Sequence, residues 1–366
     1  IVVREVDLTV GRVDTASDKV GALVGPFAKG AVDLPILVET EQDLLNAFGK
    51  PYSADKHYEY WMTASSYLAY GGPLRIVRAD DDDLKNAFSG TAGSIKIKST
   101  EHYNDLGYDG STITGVTVAA RNPGSWANNL KVAIIDDIAD QVLTFSSLPT
   151  NINVGYGITQ GVPANTVVAG SGSTSLLTGY FKGIITQIDT NLKQVSVKIL
   201  ESVTNAGVST SVNYQPNGIY KFGNTAVAIH TSGQSSSYTT GTPSASVDWF
   251  DQQTIQLTNS TINWNNIAER PGTSSFAAAR DARFDEVHVV VIDDVGEVTG
   301  NAGTILEKHL SLSKAKDGEY SLGSPSYWRK YTYNNSTNIF AGGAPAGIVT
   351  TSFGAGATNF TQFADG

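Results

Sequence analysis

The sequence predicts an α+β multidomain protein. An all-β domain, a barrel or a sandwich, is inserted into an α/β-type layer formed by the N-terminal segment and the region after about residue 248. Three observations predict this class. Before residue 80, two helices with strong boundary signals lie between two short apolar strands. From about residue 95 to 247, short alternating strands follow one another between Gly, Asn, Ser and Pro clusters. A near-continuous apolar strand then returns, as expected where both faces of a sheet are covered.

The N-terminal elements have the clearest boundaries. Thr40 and Asp43 match the capping-box pattern that begins a helix, and Gly49 ends that helix. We expect a buried strand at residues 20–25, a second helix from residue 55, and a strand at residues 74–79. The predicted parts of the chain are an extended N-terminal arm (1–18), a first α/β segment of the inner domain (19–90), an inserted β-rich outer domain (91–200), and a second β-rich and α/β segment that completes the inner domain (201–366).

The later elements follow from alternation and from turn residues. The strands that we expect are at residues 112–118, 131–135, 194–200, 226–230, 286–292 and 304–312. A short helix is a candidate at residues 180–188, and Pro325 is expected to open another helix. The chain starts at Ile1 and ends without a closing element, so both ends are expected to be trimmed.

Composition excludes several classes of function. With no Cys, the chain has no disulfides, thiolate zinc sites, iron–sulfur clusters or cysteine nucleophiles. A formal net charge of −10 disfavours a surface built for nucleic acid or for anionic lipid. No apolar run approaches the roughly 20 residues that cross a bilayer. Only 16% of the residues are charged, so the polarity of this chain is mostly uncharged.

The candidate site motifs are weak. The loop at residues 25–30 has two glycines at phosphate-loop spacing but lacks the following Lys and Ser/Thr, so we interpret it as a structural turn. The acidic runs at residues 80–83 and 293–297 lack the alternation of a calcium loop. The five histidines are scattered, and no Gly-x-Ser-x-Gly elbow occurs. We therefore predict no catalytic, cofactor-binding or metal-binding residue, and a binding or assembly protein rather than an enzyme.

The start of the chain is extended, with one largely apolar face. It has no neighbour in sequence to pair with, so we expect it to add a strand to another molecule, although an edge strand of its own sheet is an equally open interpretation. The residues of this candidate inter-subunit arm are Val2, Val3, Arg4, Glu5, Val6, Asp7, Leu8, Thr9 and Val10.

Several blocks together resemble the tail sheath protein of large contractile-tailed (myovirus-type) bacteriophages. Their number and order, rather than any catalytic motif, carry the resemblance. Two of them are Tyr-Gly-Gly-Pro-Leu-Arg-Ile-Val-Arg-Ala at residues 70–79 and Ala-Arg-Asn-Pro-Gly-Ser-Trp-Ala-Asn at residues 120–128. The other blocks lie at residues 3–7, 21–30, 48–51, 270–274 and 286–293.

The resemblance implies a virion structural protein that is assembled in the host cytoplasm. It would form a helical homo-oligomer of stacked rings around the tail tube, with the tube protein, baseplate proteins and tail terminator as partners. Contraction would drive the tube through the host envelope for genome ejection, with no enzymatic activity, cofactor, nucleic-acid partner or membrane insertion. The resemblance also implies an outward-facing inserted β domain and a C-terminal core domain, and we do not recognise the latter in this sequence.

Two other functions remain open at the level of sequence. Polar β-rich domains with exposed Tyr and Trp bind glycans, so the chain is alternatively a surface adhesin or a receptor-binding module of a virion. A glycosidase needs only two facing carboxylates, which leave no signature in a sequence.

Overall fold

The computed structural model describes residues 20–51, 57–167, 176–204, 206–230, 238–343 and 356–359. Strands hold 37% of the residues and helices 16%, so the protein is mainly β and only loosely α+β. The strands are β1 (Gly21–Gly25), β2 (Pro35–Val38), β3 (Leu74–Arg78), β4 (Phe88–Gly90), β5 (Val116–Ala120), β6 (Leu130–Asp136), β7 (Gln141–Thr144), β8 (Gly157–Val167), β9 (Leu176–Asp189), β10 (Gln194–Thr204), β11 (Ser209–Ser211), β12 (Val227–His230), β13 (Tyr238–Gly241), β14 (Ala245–Asp248), β15 (Thr254–Gln256), β16 (Thr261–Asn263), β17 (Glu286–Asp293), β18 (Thr304–Ser313), β19 (Glu319–Ser321), β20 (Ser324–Pro325), β21 (Ile339–Ala341) and β22 (Gly356–Asn359). The helices are α1 (Glu41–Phe48), α2 (His57–Ala69), α3 (Thr100–Asp105), α4 (Ser275–Ala278) and α5 (Trp328–Asn335).

The N-terminal segment forms a small layered unit. Its three-stranded sheet has the order β1-β3-β2, in which β1 is parallel and β2 antiparallel to β3. Helices α1 and α2 pack on one face of this sheet through a core that contains Phe48, Trp61 and Ile76. The strands expected at residues 20–25 and 74–79 and the helix after Thr40 are therefore present, and β2 is an additional strand.

The capping box of α1 offers a direct test of the sequence signal. Thr40 Oγ1 accepts a hydrogen bond from Asp43 N (3.1 Å), and Asp43 Oδ2 accepts one from Thr40 N (3.1 Å). We expect Thr40→Ala to lower the free energy of unfolding by about 1 kcal/mol in urea denaturation, because it leaves a helix N–H without its acceptor. Thr63→Ala, on the exposed side of α2, is the control and should change stability by less than about 0.5 kcal/mol. Equal losses in the two variants would contradict a role for the cap.

Eight strands between residues 141 and 248 form the barrel sheet. Seven of them have the order β13-β12-β8-β9-β10-β7-β14, and β11 pairs with the C-terminal part of β10. The concave side encloses a core that includes Phe181, Val195, Val197, Phe222 and Ile229. The result is a curled half-barrel, which agrees with the all-β character expected for this part of the chain. The strands of this sheet come from both sides of the predicted domain division at residue 200.

Chain connectivity requires this curl. Strands β13 and β14 lie at opposite edges of the sheet, yet only residues 242–244 separate them in sequence. In a flat sheet, six gaps between strands would hold these edges about 29 Å apart. The four peptide steps from Gly241 to Ala245 reach at most roughly 14 Å. The two edges must therefore bend towards each other.

The central sheet connects distant parts of the sequence. Its order is β18-β17-β6-β22, and all pairs are antiparallel. Val287, Val289 and Val291 of β17 contribute to one hydrophobic cluster, whereas Val290 and Ile292 contribute to a second cluster on the other face. Both faces are thus covered, as the near-continuous apolar pattern predicts.

A further three-stranded sheet, β21-β5-β4, lies beside α3 and α5. Tyr103 of α3 stacks on Phe340 of β21 with ring centroids 4.3 Å apart. Arg329 of α5 is buried and donates through Nε to Ala341 O (3.1 Å). These contacts bring residues from before 121 and after 327 into one core.

Several sequence-based expectations differ from the structure: the strand expected at residues 112–118 is β5 at Val116–Ala120, and the helix expected to open at Pro325 is α5 at Trp328–Asn335. The N-terminal segment and the region after residue 248 do not share one layer, because β17 pairs with β6 and β18 rather than with the N-terminal sheet. The candidate helix at residues 180–188 lies within strand β9, which pairs on one side with β8 and on the other with β10. In that strand the pairing with two neighbours overrides a weak local helical pattern.

Candidate functional site

The candidate inter-subunit arm at residues 2–10 lies outside the described residues, so its pairing stays a prediction. Within the described part of the chain, no helix is long and apolar enough to cross a membrane. Nor does that part bring three or more His, Asp or Glu side chains together as a group that could hold a metal ion. The sites that can be described are therefore joints between parts of the fold, and exposed faces.

The glycine loop at residues 25–30 surrounds a cation of the same chain. Buried Arg78 donates through Nη1 to Gly30 O (3.0 Å) and to Pro123 O (2.7 Å), and through Nη2 to Ala28 O (3.4 Å). A phosphate-binding loop presents N–H groups to its ligand, whereas this loop presents carbonyl oxygens to a guanidinium. The arrangement is that of a structural turn that fastens the N-terminal segment to the following chain.

The acidic run at residues 80–83 is also paired. The Asp80 carboxylate forms ion pairs with Lys96 (Nζ to Oδ1, 2.7 Å) and with Lys98 (Nζ to Oδ2, 2.7 Å). Partial burial raises the pKa of Asp80, but the hydrogen bonds and charges of these two lysines outweigh it and hold the pKa below its usual value. Within the same run, Asp81 Oδ1 accepts from Asp83 N (2.9 Å), which is turn chemistry.

The second acidic run caps backbone groups. Asp293 Oδ2 accepts from the N–H groups of Val298 (3.1 Å) and Thr299 (2.7 Å), and so shapes the turn after β17. Asp294 accepts two hydrogen bonds from Thr258 and lies 3.3 Å from Lys131 Nζ. These contacts hold the pKa of Asp294 below its usual value, against the opposing effect of burial. Both carboxylates therefore have hydrogen-bond partners within the fold.

The histidines make separate local contacts. His288 is buried, and burial lowers its pKa, which favours the neutral ring. Its Nδ1 accepts from Ser311 N (2.9 Å), so Nε2 carries the proton and donates to Glu269 O (2.9 Å). Elsewhere, His102 Nδ1 accepts from Lys98 N (3.2 Å), His230 Nε2 contacts Thr159 Oγ1 (3.0 Å), His309 Nε2 contacts Glu307 Oε2 (2.9 Å), and His57 lies at the start of α2.

Among the described residues, five charged side chains form a junction cluster: Asp137, Asp140, Lys198, Asp248 and Arg270. Lys198 Nζ lies 2.5 Å from Asp137 Oδ1 and 2.9 Å from Asp140 Oδ1. Asp140 Oδ2 also accepts from the backbone N–H of Ile199 (2.7 Å). Burial raises the pKa of Asp137, and the charge of Lys198 opposes this effect. Side-chain exposure is only 3–5% for these three charged groups, so each depends on its partners for stabilisation.

Arg270 extends the junction cluster to the edge of the barrel sheet. Its Nη2 donates to Asp248 Oδ1 (2.5 Å), and its Nη1 donates to Ala139 O (3.0 Å). Tyr214 OH donates to Asp248 Oδ2 (3.0 Å), and the Arg270 guanidinium lies over the Tyr214 ring at 5.1 Å. Burial, followed by the charge of Asp248, raises the pKa of Tyr214.

The position of the junction cluster shows what it connects. Lys198 belongs to β10 and Asp248 to β14 of the barrel sheet, whereas Asp137 follows β6 of the central sheet and Arg270 precedes β17. Ion pairs between buried groups with short, directed contacts favour one relative orientation of the elements that carry them. The junction cluster therefore fixes the barrel sheet on the central sheet.

Three of the blocks that carry the family resemblance also contain residues that join separate parts of the fold. Arg270 opens the block at residues 270–274, and Arg78 belongs to the block at residues 70–79. In the block at residues 120–128, Gly124 has φ 124°, and a Cβ there would come within 2.7 Å of Ala28 O. Only a glycine leaves room for this close approach.

The N-terminal sheet presents an open face, which is the candidate interface. Its helix-free side carries Ala22, Val24, Leu37 and Arg75. Val24 is 64% exposed and Leu37 is 47% exposed. Among the described strands, β1 and β2 each pair on one side only, with β3. Exposed apolar side chains beside unpaired strand edges mark a surface suited to another chain.

Sequence reasoning missed the junction cluster. One signal was present: Lys198 interrupts the apolar strand at residues 194–200, and a lone charge in such a strand is either exposed or paired. The carboxylates that pair with Lys198 lie 58 and 61 residues away along the chain, at Asp140 and Asp137. Periodicity does not reveal which of them meet.

Part of the chain is similar to two curated phage proteins. The tail sheath protein of Enterobacteria phage T4 is 40% identical over 74 residues, which are 20% of this chain and 11% of that protein. The tail sheath protein of Salmonella phage ViI is 30% identical over 118 residues, 32% of this chain and 18% of that protein. The similarity thus spans less than a fifth of the length of either relative.

Among solved structures, a sheath tail protein from Listeria innocua is 13% identical, with 73% of this chain and 39% of that chain covered. Its TM-score of 0.21 is too low to support an argument about the fold. No protein-family model matches the chain. The names of the two phage relatives suggest a structural, non-enzymatic role in a phage tail sheath, as a component of the virion.

Proposed function

We propose that the chain is a structural subunit of a contractile phage tail sheath. In this proposal it polymerises helically around the tail tube and contracts to drive the tube through the host envelope, where the genome is ejected. The observation that carries the proposal is the sequence similarity to two tail sheath proteins. Its partners are other copies of the chain, the tube protein, baseplate proteins and a tail terminator, and assembly takes place in the host cytoplasm.

Two features of the described residues support this proposal. The junction cluster joins the barrel sheet to the central sheet through short ion pairs, so a subunit can turn as a body rather than deform. The open face of the N-terminal sheet, whose edges carry no further strand among the described residues, offers neighbours an apolar surface and strand edges to pair with. A sheath needs both features, because force must pass through subunits whose neighbours change position.

Linkage and switching have separate physical origins in this proposal. Arms such as residues 2–10 link subunits by adding strands to sheets of other subunits, through main-chain hydrogen bonds that tolerate sequence variation. The bodies swivel between two sets of contacts that differ by a modest free energy. Summed over many subunits, that difference makes the stroke one-way.

The test is polymer formation by the purified chain, followed by negative-stain electron microscopy. We expect striated tubes or stacked rings from the full sequence, and unassembled particles after deletion of residues 2–10. A variant in which a Gly-Ser segment of equal length replaces residues 2–10 separates the loss of strand pairing from the loss of length. Tubes that persist in both variants would contradict the arm, whereas a monomer that binds glycan arrays would favour the adhesin interpretation.

A further inference from the structure

A pocket lined by two lysines lies where the N-terminal segment meets the loop after β17. It has a volume of about 320 Å³, at the lower end of the range for small-ligand sites. Lys29, Lys50 and Trp126 line it, together with Glu297 and the amide side chains of Gln42 and Asn46. Two lysines thus line one small pocket in a chain whose net charge is −10.

Lys29 is the more buried of the two lysines. Its Nζ lies 4.5 Å from the ring centroid of Trp126, and no described carboxylate lies within ion-pair distance of it. Burial lowers the pKa of Lys29, and the charge of Glu307 opposes this only in part. Lys29 is half-buried, and a cation partly withdrawn from water is ordinarily paired with an anion or hydrogen-bonded. Lys29 therefore carries a charge that the described residues leave incompletely compensated.

Lys50 has a weak partner in the fold. Its Nζ donates to Glu297 O at 3.4 Å, a distance at which a hydrogen bond is long. Lys50 is exposed, so water screens its charge, and no described carboxylate lies at bonding distance from it. Because Lys29 and Lys50 line the same pocket, one guest could receive hydrogen bonds from both.

Two carboxylates near this pocket, Glu297 and Glu307, would repel a bound anion. In each case the surroundings of the carboxylate weaken this repulsion. Glu297 lines the pocket but is exposed, so water screens its charge. Glu307 accepts hydrogen bonds from Thr337, Asn338, Ser336 and His309, which engage both of its oxygens. Neither carboxylate forms an ion pair with Lys29 or Lys50.

We propose that this pocket binds an oxyanion, either a phosphate or a carboxylate group, between the ammonium groups of Lys29 and Lys50. Charge-assisted hydrogen bonds from two lysines suit such a group, and Gln42 and Asn46 add uncharged polar atoms at the wall. A guest held there also touches the loop that contains Glu297. It would thus tie the N-terminal segment to the central sheet, and this proposal stands independently of sheath assembly.

The probes are sodium phosphate and sodium acetate, each compared with sodium chloride at the same ionic strength, on the full chain. Thermal unfolding and isothermal titration calorimetry give the readouts, because a ligand that binds only the folded state raises the unfolding midpoint. We expect at least one of the two probes to bind and to raise the midpoint more than chloride does. Binding of phosphate alone would assign a phosphate ligand, and binding of acetate would assign a carboxylate.

Variants locate the site. Lys29→Met and Lys50→Met should each weaken binding about tenfold or more, as expected for loss of a charged hydrogen-bond donor. Lys308→Met is the matched control, because Lys308 is exposed on β18 outside this pocket, and its affinity should equal that of the unaltered chain. Glu297→Gln, which removes the exposed acid and keeps the fold, should tighten binding a few-fold. The proposal is overturned if neither probe shifts the midpoint beyond chloride, or if binding persists unchanged in Lys29→Met and Lys50→Met.

Discussion

Lys198→Met should lower the free energy of unfolding by about 3–5 kcal/mol, the loss expected when one partner of a buried ion pair is removed. Lys198 compensates two carboxylates, with Nζ 2.5 Å from Asp137 and 2.9 Å from Asp140. In the variant, both would remain in a site whose side chains are at most 5% exposed. Urea denaturation monitored by tryptophan fluorescence measures the change.

A matched lysine in the same sheet provides the control. Lys182 pairs with Glu201 at 3.4 Å, and both side chains are about 40% exposed. Lys182→Met should therefore cost less than about 1 kcal/mol. A further variant that adds Asp137→Asn and Asp140→Asn to Lys198→Met should recover part of the loss, because it leaves no uncompensated charge. Equal losses in Lys182→Met and Lys198→Met would show that the junction cluster does not stabilise the fold.

Glu307→Gln should lower the free energy of unfolding by about 3 kcal/mol at neutral pH. Burial alone would raise the pKa of Glu307, but hydrogen bonds from His309, Ser336 and Thr337 outweigh it and lower the pKa from 4.5 to about 2. At about 1.4 kcal/mol per pKa unit, that depression corresponds to the predicted loss. The amide nitrogen of Gln would also face donors that now meet an acceptor.

The pH dependence of the unfolding free energy tests whether the ionised carboxylate of Glu307 causes this loss. A carboxyl group whose pKa is depressed by folding stabilises the protein above its unfolded value, and this contribution fades as the pH falls from 4.5 to about 2. The difference in unfolding free energy between the unaltered chain and Glu307→Gln should therefore narrow across this window. Glu101→Gln, at an exposed position of α3, is the control for the substitution itself. A constant difference from pH 7 to pH 2 would assign the loss to packing.

Local chemistry in the sequence was enough to predict several elements. Thr40, Asp43 and Gly49 determine the ends of α1 through hydrogen bonds within a single turn. The run of apolar residues from Val287 to Ile292 indicated a strand covered on both faces, and its alternate residues do enter two different clusters. In both cases, the deciding contacts or patterns lie within a few residues of one another.

Pairing between distant strands could not be predicted in the same way. β6 pairs with β17 although about 150 residues separate the two strands in sequence. The apolar pattern of neither strand indicates which strand it pairs with. The same limit applies to the junction cluster, where Arg270 and Lys198 meet Asp140 only after three segments have folded together. Although only 16% of the residues are charged, Lys198, Asp137 and Asp140 are buried together where the barrel sheet meets the central sheet.

The short link between β13 and β14 has a mechanical consequence. Because residues 242–244 join the two edges of the barrel sheet, a load that pulls these edges apart stretches covalent bonds as well as hydrogen bonds. The link has little slack, so the domain cannot unroll strand by strand from that side. The ion pairs of the junction cluster join this sheet to the segments beside the central sheet.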